Sequence, residues 1–307
     1  MNDCNGGDLH ISEKRPHISV CICTYKRPEL LRRALSALAG QSTEGLFTFS
    51  VVVVDNDAEQ SGSMAASQAT GVAVTYCVEP RQNIPLARNR AVANATGDFI
   101  AFLDDDEYPC EQWLLTLYRT CLQYDVDGVL GPVKPYFDEG VPGWVVRGNF
   151  YNRPYPTGYL IDWRRGRTGN VLLKSELFAG EAEPFRAQFR VGEDQDFFRR
   201  MIQRGKRFIW CHEAVAYEFV PLVRCRRSFM WRRALLRGAS SRLHPNFGLR
   251  EIGKSVVAVP AYLILVPLTL LAGQATFMKY SVSFFDHLGR LLALLGVQPV
   301  KGAYVTE

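Results

Sequence analysis

The hydrophobic pattern of the first hundred residues switches repeatedly between two periods. HISVCICTY, residues 17–25, is a β-rich apolar run. RPELLRRALSALAGQ behind it carries Leu30, Leu31, Ala34, Leu35 and Leu38 at helical spacing, with Pro28 suited to a first helical turn. FSVVVVDND follows as a continuous β-branched strand of the kind buried on both faces of a parallel sheet. The pattern then predicts a helix around Gln60 to Ala69, a strand at VAVTYCVE, a helix at NIPLARNRAVANA and a fourth strand at GDFIAFLD. Such alternation predicts an α/β fold, an open and mostly parallel twisted sheet with helices on both faces. Sheets of this type bind ligands beyond the carboxyl ends of their strands.

Those ends are where the polar residues fall. The first strand ends in Thr24 and Tyr25, the second in Asp55, Asn56 and Asp57, the third near Glu79 and Arg81, and the fourth in Asp104, Asp105, Asp106 and Glu107. An acid at a strand end is often only a helix cap or turn former, and for Asp57 capping and ligand binding stand equally open. The Asp cluster is different. Carboxylates about 4 Å apart repel by roughly 1 kcal/mol in water and roughly 4 kcal/mol at an effective dielectric of 20, so four in a row call for a compensating charge, and a divalent cation is the obvious one.

Later segments change the pattern. KPYFDEGVPGWVVRGNFYNRPYPTGYLIDWRRGRTGN is rich in Gly, Pro and aromatic residues and reads as irregular, with Trp144 the first candidate to wall a pocket. VGEDQDFFRRMIQRG sets Glu193, Asp194 and Asp196 at the start of a helix, where acids also suit the helix dipole. Residues 221–250 carry eight arginines and no acid, and residues 256–273 carry no charge at all. A basic stretch ahead of an apolar one predicts contact with anionic headgroups. Pro260 and Pro267 interrupt the apolar run, leaving open a short span, a re-entrant hairpin or a helix pair in the interface, with a buried hairpin as the plain alternative. No nucleic-acid motif accompanies the arginines.

The net charge of +5 fits the basic tail, and the length of 307 residues suits one large domain plus an appendage. The division read from the pattern is a flexible arm over 1–15, a catalytic domain over 16–222 and a basic, apolar helical tail over 223–307. The first fifteen residues are polar and lack the apolar core of a secretory signal, so the N-terminus is expected in the cytosol. Eight cysteines are scattered without a CxxC pair or zinc spacing and are expected to be reduced thiols.

In order and spacing, CTYKRPELL, VVVVDNDAE, NIPLARNRA, FLDDDE and GEDQDFF resemble the family-2 inverting glycosyltransferases with the GT-A fold. The details DNDAE, NIPLARN, FLDDDE, LGPVKP and RTGNVLL look most like the ExoM-type glucosyltransferases of succinoglycan exopolysaccharide assembly. The resemblance covers residues 16–220 strongly and the tail loosely. It implies transfer of a hexose, glucose from UDP-glucose in a β linkage, onto a lipid-linked oligosaccharide at the cytoplasmic face of the inner (plasma) membrane.

It also implies roles. Asp104 and Asp106 match the DxD pair that holds Mg2+ or Mn2+, and Asp105 between them would point elsewhere on an extended backbone and join the donor site. Thr24, Tyr25 and Glu29 match residues around the base and ribose, Asp55 the residue that bonds the base, and Arg88 one that approaches the diphosphate or Asp55. Arg167, Thr168, Gly169 and Asn170 match the segment bordering the donor. Asp194 matches the base that takes the proton of the attacking hydroxyl, with Glu193 and Trp144 at the acceptor. The histidine that many relatives carry near the end of this domain falls at Tyr217, five residues after His212, so no His ligand is assigned. Two other readings remain open: a catalytically silent scaffold of this fold at the membrane, and a nucleotidyltransferase, which leaves GEDQDF unexplained.

Overall fold

A computed structural model of the chain describes residues 15–189, 191–243, 247–297 and 300. All but the last residue of the expected N-terminal arm lies outside the described residues.

The first strand, β1 (His17–Thr24), pairs in parallel with β2 (Thr48–Asp55), so Thr24 and Asp55 end side by side. Between them α1 (Pro28–Ala39) buries Leu31, Ala34, Leu35 and Leu38, the stripe expected from the spacing, with Pro28 in its first turn. The chain continues through α2 (Ser63–Ser67), β3 (Val74–Val78), α3 (Ile84–Asn94), β4 (Phe99–Phe102), β5 (Glu107–Pro109), α4 (Trp113–Gln123), β6 (Gly128–Leu130), β7 (Val133–Phe137) and α5 (Gly143–Gly148). It closes with β8 (Val171–Lys174), α6 (Glu193–Gln203), β9 (Phe208–Trp210), β10 (Ala216–Val220), α7 (Arg227–Ser240), α8 (Leu249–Leu268) and α9 (Gln274–Leu294).

Seven strands form one sheet in the order β3-β2-β1-β4-β8-β6-β9, in which β8 alone runs antiparallel to its neighbours. Three more form a small sheet, β5-β10-β7. The unbroken VVVV run explains itself here. Val51 and Val53 enter one core with Ile18, Val20, Ile22 and the apolar faces of α1 and α4, while Val52 and Val54 enter a second core with Cys21, Ala87 and Ala91 of α3, and Phe197 and Phe198 of α6. A strand buried on both faces needs apolar residues at both parities.

Two expectations need correction. The helix expected from Gln60 to Ala69 is only Ser63–Ser67, and Asp57 does not cap it. Instead Asp57 opens a turn, its Oδ1 accepting from Glu59 N at 3.3 Å, because Gly62 N is drawn to Asp55 and holds the loop away from helix. The aromatic segment is also more ordered than expected. Part of it is β7, which pairs with β10, and part is α5, whose Trp144 packs against Phe150 in a third core with Val220, Met230 and Met278.

That third core fastens the tail. One face of α9 buries Met278, Ser281, Gly289 and Ala293, and α7 runs beside it with Trp231 Nε1 donating to Ser281 Oγ at 3.1 Å and Arg242 Nη1 to Ala293 O at 2.8 Å. Gly238 and Gly289 allow the close approach, since a Cβ on either would overlap the facing backbone of Asp286 or Leu235. Gly289→Val should therefore force the two helices apart and cost about 1–3 kcal/mol, the usual penalty for overpacking. The check is the urea midpoint, with Gly253→Val, outside the seam and in open space, as a control.

Candidate active site

The strand ends build the site from left to right. At β1 the Thr24 hydroxyl is buried and donates to Asp105 Oδ2 at 2.7 Å. Asp55 beside it is 0 % exposed, and its carboxylate accepts from Gly62 N at 2.6 Å, Asp57 N at 3.1 Å and the Tyr76 hydroxyl at 2.9 Å. Asp55 thus ties down the loop after β2; it does not meet Arg88. A Cβ at Gly62 would press on Asp55, Leu31 and Thr24 together, so the loop closes over the strand ends only because residue 62 has none. Tyr25 is exposed with Lys26 over its ring at 5.5 Å, and Glu29 lies out on α1 paired with Arg32 at 2.8 Å.

Beyond β4 the acids do not stay extended. Glu107 N donates to Asp104 O at 3.1 Å, closing a turn that splits the cluster. Asp105 and Asp106 both turn to Arg27, at 3.1 and 3.2 Å, while the Asp104 side chain stays 49 % exposed, 3.8 Å from Arg88. The small sheet then adds to the crowd. The register of β10 against β5 sets Glu218 directly opposite Glu107, a like-charge pair that is unfavourable across strands. Arg224 answers with contacts of 2.5 Å to Glu218 and 3.4 Å to Asp106.

Three arginines against five carboxylates leave negative charge uncompensated. Burial, with Asp104, Asp106 and Glu218 adding to it, pushes Glu107 well above the usual carboxylate range. Burial and then Asp106 raise Asp105 to about 6 against the pull of Arg27, and burial and Asp106 raise Glu218 to about 7 against Arg224.

These residues fit a hard divalent cation. Gly169 lies over the cluster, where a Cβ would sit 2.7 Å from Glu107 Oε1 and 2.9 Å from Asp104 Oδ2, so the missing side chain keeps the carboxylates reachable. Among the described residues no three His, Cys, Asp or Glu side chains close around an ion. Mg2+ and Mn2+ take one or two carboxylates and fill their remaining positions with water and substrate phosphate.

On the opposite wall, the Phe197 and Phe198 rings seat α6 on the sheet, with Phe178 stacked at 5.3 Å and Phe208 edge-on at 4.9 Å. The first turn of α6 is thereby fixed at the rim. Glu193 is buried and ion-paired with Arg88; burial raises its carboxyl, and Arg88 opposes the rise. Asp194 is anchored lightly, Oδ1 accepting from Gln195 N at 2.7 Å and Oδ2 lying 3.9 Å from Arg167. Although half of the Asp104 side chain meets solvent, the protein packed around its carboxylate raises it against the pull of Arg88, and the charges of Asp106 and Asp194 add to the rise. Asp196 is a different case, wholly buried among Arg186, Arg199 and Arg200 as a structural charge network.

The structure therefore brings together Thr24, Arg88, Asp104, Asp105, Asp106, Glu193 and Asp194. Trp144 is 6 % exposed and belongs to the third core, since α5 turns its ring toward Phe150 instead of a pocket. Asn170 is wholly buried, accepting from Trp113 Nε1 at 2.7 Å and donating to Pro132 O and Ala214 O at 2.8 and 2.9 Å, so it holds Gly169 in place from behind. Tyr217 is exposed on β10, and His212 is held by its backbone to Thr157 at 2.9 Å. Sequence reasoning missed Arg27, Glu107 as a buried acid, Glu218 and Arg224. Arg27 sat in view inside CTYKRPELL, whereas Glu218 and Arg224 reach the cluster only through the pairing of β10 with β5.

The model of a family described as glycosyl transferase family 2 matches residues 19–179. The succinoglycan biosynthesis protein ExoM of Rhizobium meliloti (strain 1021) is 30 % identical over 302 residues, 93 % of this chain and 95 % of that protein. Among solved structures, the mannosyltransferase PcManGT of Pyrobaculum calidifontis, in complex with GDP-Man and Mn2+, aligns with a TM-score of 0.63 at 18 % identity, over 92 % of this chain and 88 % of that one. S. aureus TarS 1-349 in complex with UDP-GlcNAc gives 0.53 at 16 % identity, over 92 % and 93 %. The fold is the GT-A fold expected from the motifs.

Removing the Asn170 side chain strands the buried Trp113 N–H and the Ala214 carbonyl, each costing about 1–3 kcal/mol. Asn170→Ala should thus lower the urea midpoint at an unchanged m-value by an amount corresponding to about 3 kcal/mol, and Asn170→Asp should lose at least as much, because a carboxylate cannot donate to the Pro132 and Ala214 carbonyls.

Proposed function

Because the chain belongs to glycosyl transferase family 2, we propose that it is an inverting glycosyltransferase that moves a hexose from a nucleoside diphosphate sugar to a hydroxyl of a lipid-linked oligosaccharide. UDP-glucose as donor, a β linkage and a place in succinoglycan-type exopolysaccharide assembly are the finer reading that the likeness to ExoM supports. The observation that carries the proposal is the rim itself: the Asp104–Asp106 turn faces Asp194 across Arg88, which touches Asp104 on one side and Glu193 on the other.

The chemistry follows from that spacing of charge. In the reaction the acceptor oxygen bonds to the anomeric carbon as the bond from that carbon to the diphosphate oxygen breaks on the other face. Asp194 accepts the hydroxyl proton, and a single base suffices because inversion needs no covalent intermediate. Asp104 and Asp106 would hold Mg2+ or Mn2+, which when bound supplies Lewis-acid neutralisation of the departing nucleoside diphosphate. Arg88 keeps Asp104 and Glu193 apart and oriented, and Glu193 positions the acceptor. Thr24 orients Asp105 toward the donor, Tyr25 offers an exposed ring to the base, and Asp55 shapes the base pocket through its hold on Gly62. Residues 16–222 form the catalytic unit of this reading.

The test is a screen of nucleotide sugars on the purified chain with Mn2+ or Mg2+, reading nucleoside diphosphate release with lipid-extracted acceptor. Release from one UDP-sugar, dependent on metal and acceptor, is expected. Release of pyrophosphate would instead mark a nucleotidyltransferase. Asp194→Asn should reduce kcat by about 10²- to 10⁴-fold, the usual worth of a general base, with donor affinity little changed. For the metal, Mn2+ at about 100 times its dissociation constant should stabilise the native protein by about 2.7 kcal/mol. That gain, read as a rise in unfolding temperature, should be lost in Asp104→Asn and kept in Asp194→Asn.

A further inference from the structure

The most apolar part of the molecule is also among its least covered. Of the most apolar 18-residue window within Leu249–Ala272, with mean hydropathy 2.2, only 6 % is buried, and Val257, Ile264 and Leu271 are 71, 69 and 92 % exposed. A helix of 20 residues is roughly 30 Å long, the thickness of a bilayer core, so by length alone α8 could cross one. Its neighbours forbid the crossing. Ser255 Oγ lies 3.0 Å from His287 Nδ1 and 3.1 Å from Arg290 Nη1, and Tyr262 packs edge-on to Tyr280 at 6.0 Å. These pairs share one antiparallel register, so α8 lies along α9. In turn α9 lies along α7, from Ser281 at Trp231 to Ala293 at Arg242, and reaches the catalytic body through Ala275 and Met278 in the third core.

A perpendicular α8 would have to tear this seam, or carry Lys279, Asp286, His287 and Arg290 of α9 into hydrocarbon with it. On insertion scales each such charge at the bilayer centre costs roughly 2.5–3.5 kcal/mol.

We propose that α8 lies in the plane of an anionic bilayer surface as a monotopic helix, with its Val257–Ile264 face and Leu271 of the 3-10 turn that follows it (Thr269–Ala272) immersed, and with α9 forming the layer between it and the rest of the protein. Charge chooses the lipid: of the eight arginines in residues 221–250, Arg226, Arg232, Arg233, Arg237, Arg242 and Arg250 are exposed, Lys254 follows early in the helix, and Arg224 is held at the carboxylate cluster by Asp106 and Glu218. The placement of α8 rests on packing and charge alone and stands independently of the function proposed above.

The experiment places a fluorescent amino acid in turn at Val257, Ile264 and Leu271 of the full chain, bound to vesicles carrying a nitroxide at a shallow or a deep acyl carbon. All three sites are exposed, so the fold is undisturbed. Equal depth at the three positions, with the shallow nitroxide quenching more at each, is expected. Vesicle affinity should also fall roughly tenfold or more when phosphatidylglycerol is replaced by phosphatidylcholine, or when salt screens the arginines. Graded depth along the helix would show a span and overturn the proposal. So would the absence of quenching on every vesicle, which would mean that a protein, a second copy or another chain, covers this face. Neither readout depends on catalysis, so a wrong donor or reaction leaves the result intact.

Discussion

Everything at the rim follows from the need to hold like charges together. Asp104, Asp105, Asp106 and Glu107 come off one strand, and the pairing of β10 with β5 adds Glu218 directly across from Glu107. Nothing in water would assemble these groups. The fold does so with apolar burial elsewhere: β4 is buried on both faces, β10 ends in the third core, and the turn after β4 leads directly into β5, which pairs with β10. Arginines then divide the cluster, Arg27 taking Asp105 and Asp106, Arg224 taking Asp106 and Glu218, and Arg88 standing at Asp104. On the proposed function, the residue of negative charge is the part available to a cation and, through it, to a diphosphate. A site fully neutralised by its own arginines would have no attraction left for either.

The same logic explains why Arg88 is buried. On an open helix face its guanidinium would be solvated and its pairing worth little. Set between α3, β4 and α6, it is held charged by Glu193 and Asp104 despite its desolvation, and it fixes the distance between the cluster and the first turn of α6. Removing one partner of such a buried pair leaves an uncompensated charge, typically a loss of 3–5 kcal/mol. The aromatic packing of Phe178, Phe197, Phe198 and Phe208 supplies the rigidity this arrangement requires.

How much of this was legible depended on range in sequence. The strand-helix alternation, the doubly buried VVVV strand, the stripe on α1 and the collection of acids at strand ends are local patterns, and each is found where it was read. The loop after β2 was misread because its conformation is set by a single acceptor, Asp55, seven residues before Gly62, which no periodicity reports. Trp144 was misread because an aromatic in a Gly- and Pro-rich segment looks the same whether it lines a pocket or joins a core; the decision rests on α9, more than a hundred residues later. Glu218 was invisible for the same reason, since only strand register brings it to Glu107. Asn170 stood inside a recognised segment, yet its three hydrogen bonds to Trp113, Pro132 and Ala214 make it the support of Gly169 and not a donor contact.

The tail, finally, is continuous with the chemistry. Arg224, which divides Asp106 from Glu218, stands just before α7, and its carbonyl accepts from the Tyr151 hydroxyl at 2.6 Å. From there α7 runs beside α9 through the two close-approach glycines, and α9 carries α8 on its outer side. A span held by a flexible linker would let the catalytic body tumble over the bilayer at many heights. With α8 in the surface plane, as proposed above, two packed layers fix both height and tilt, and for the proposed acceptor confined to two dimensions that matters, because its hydroxyl must come within hydrogen-bond reach of the carboxylate that takes its proton. The apolar face of α8 and the catalytic body are thus parts of one rigid construction, joined through α9 and the third core.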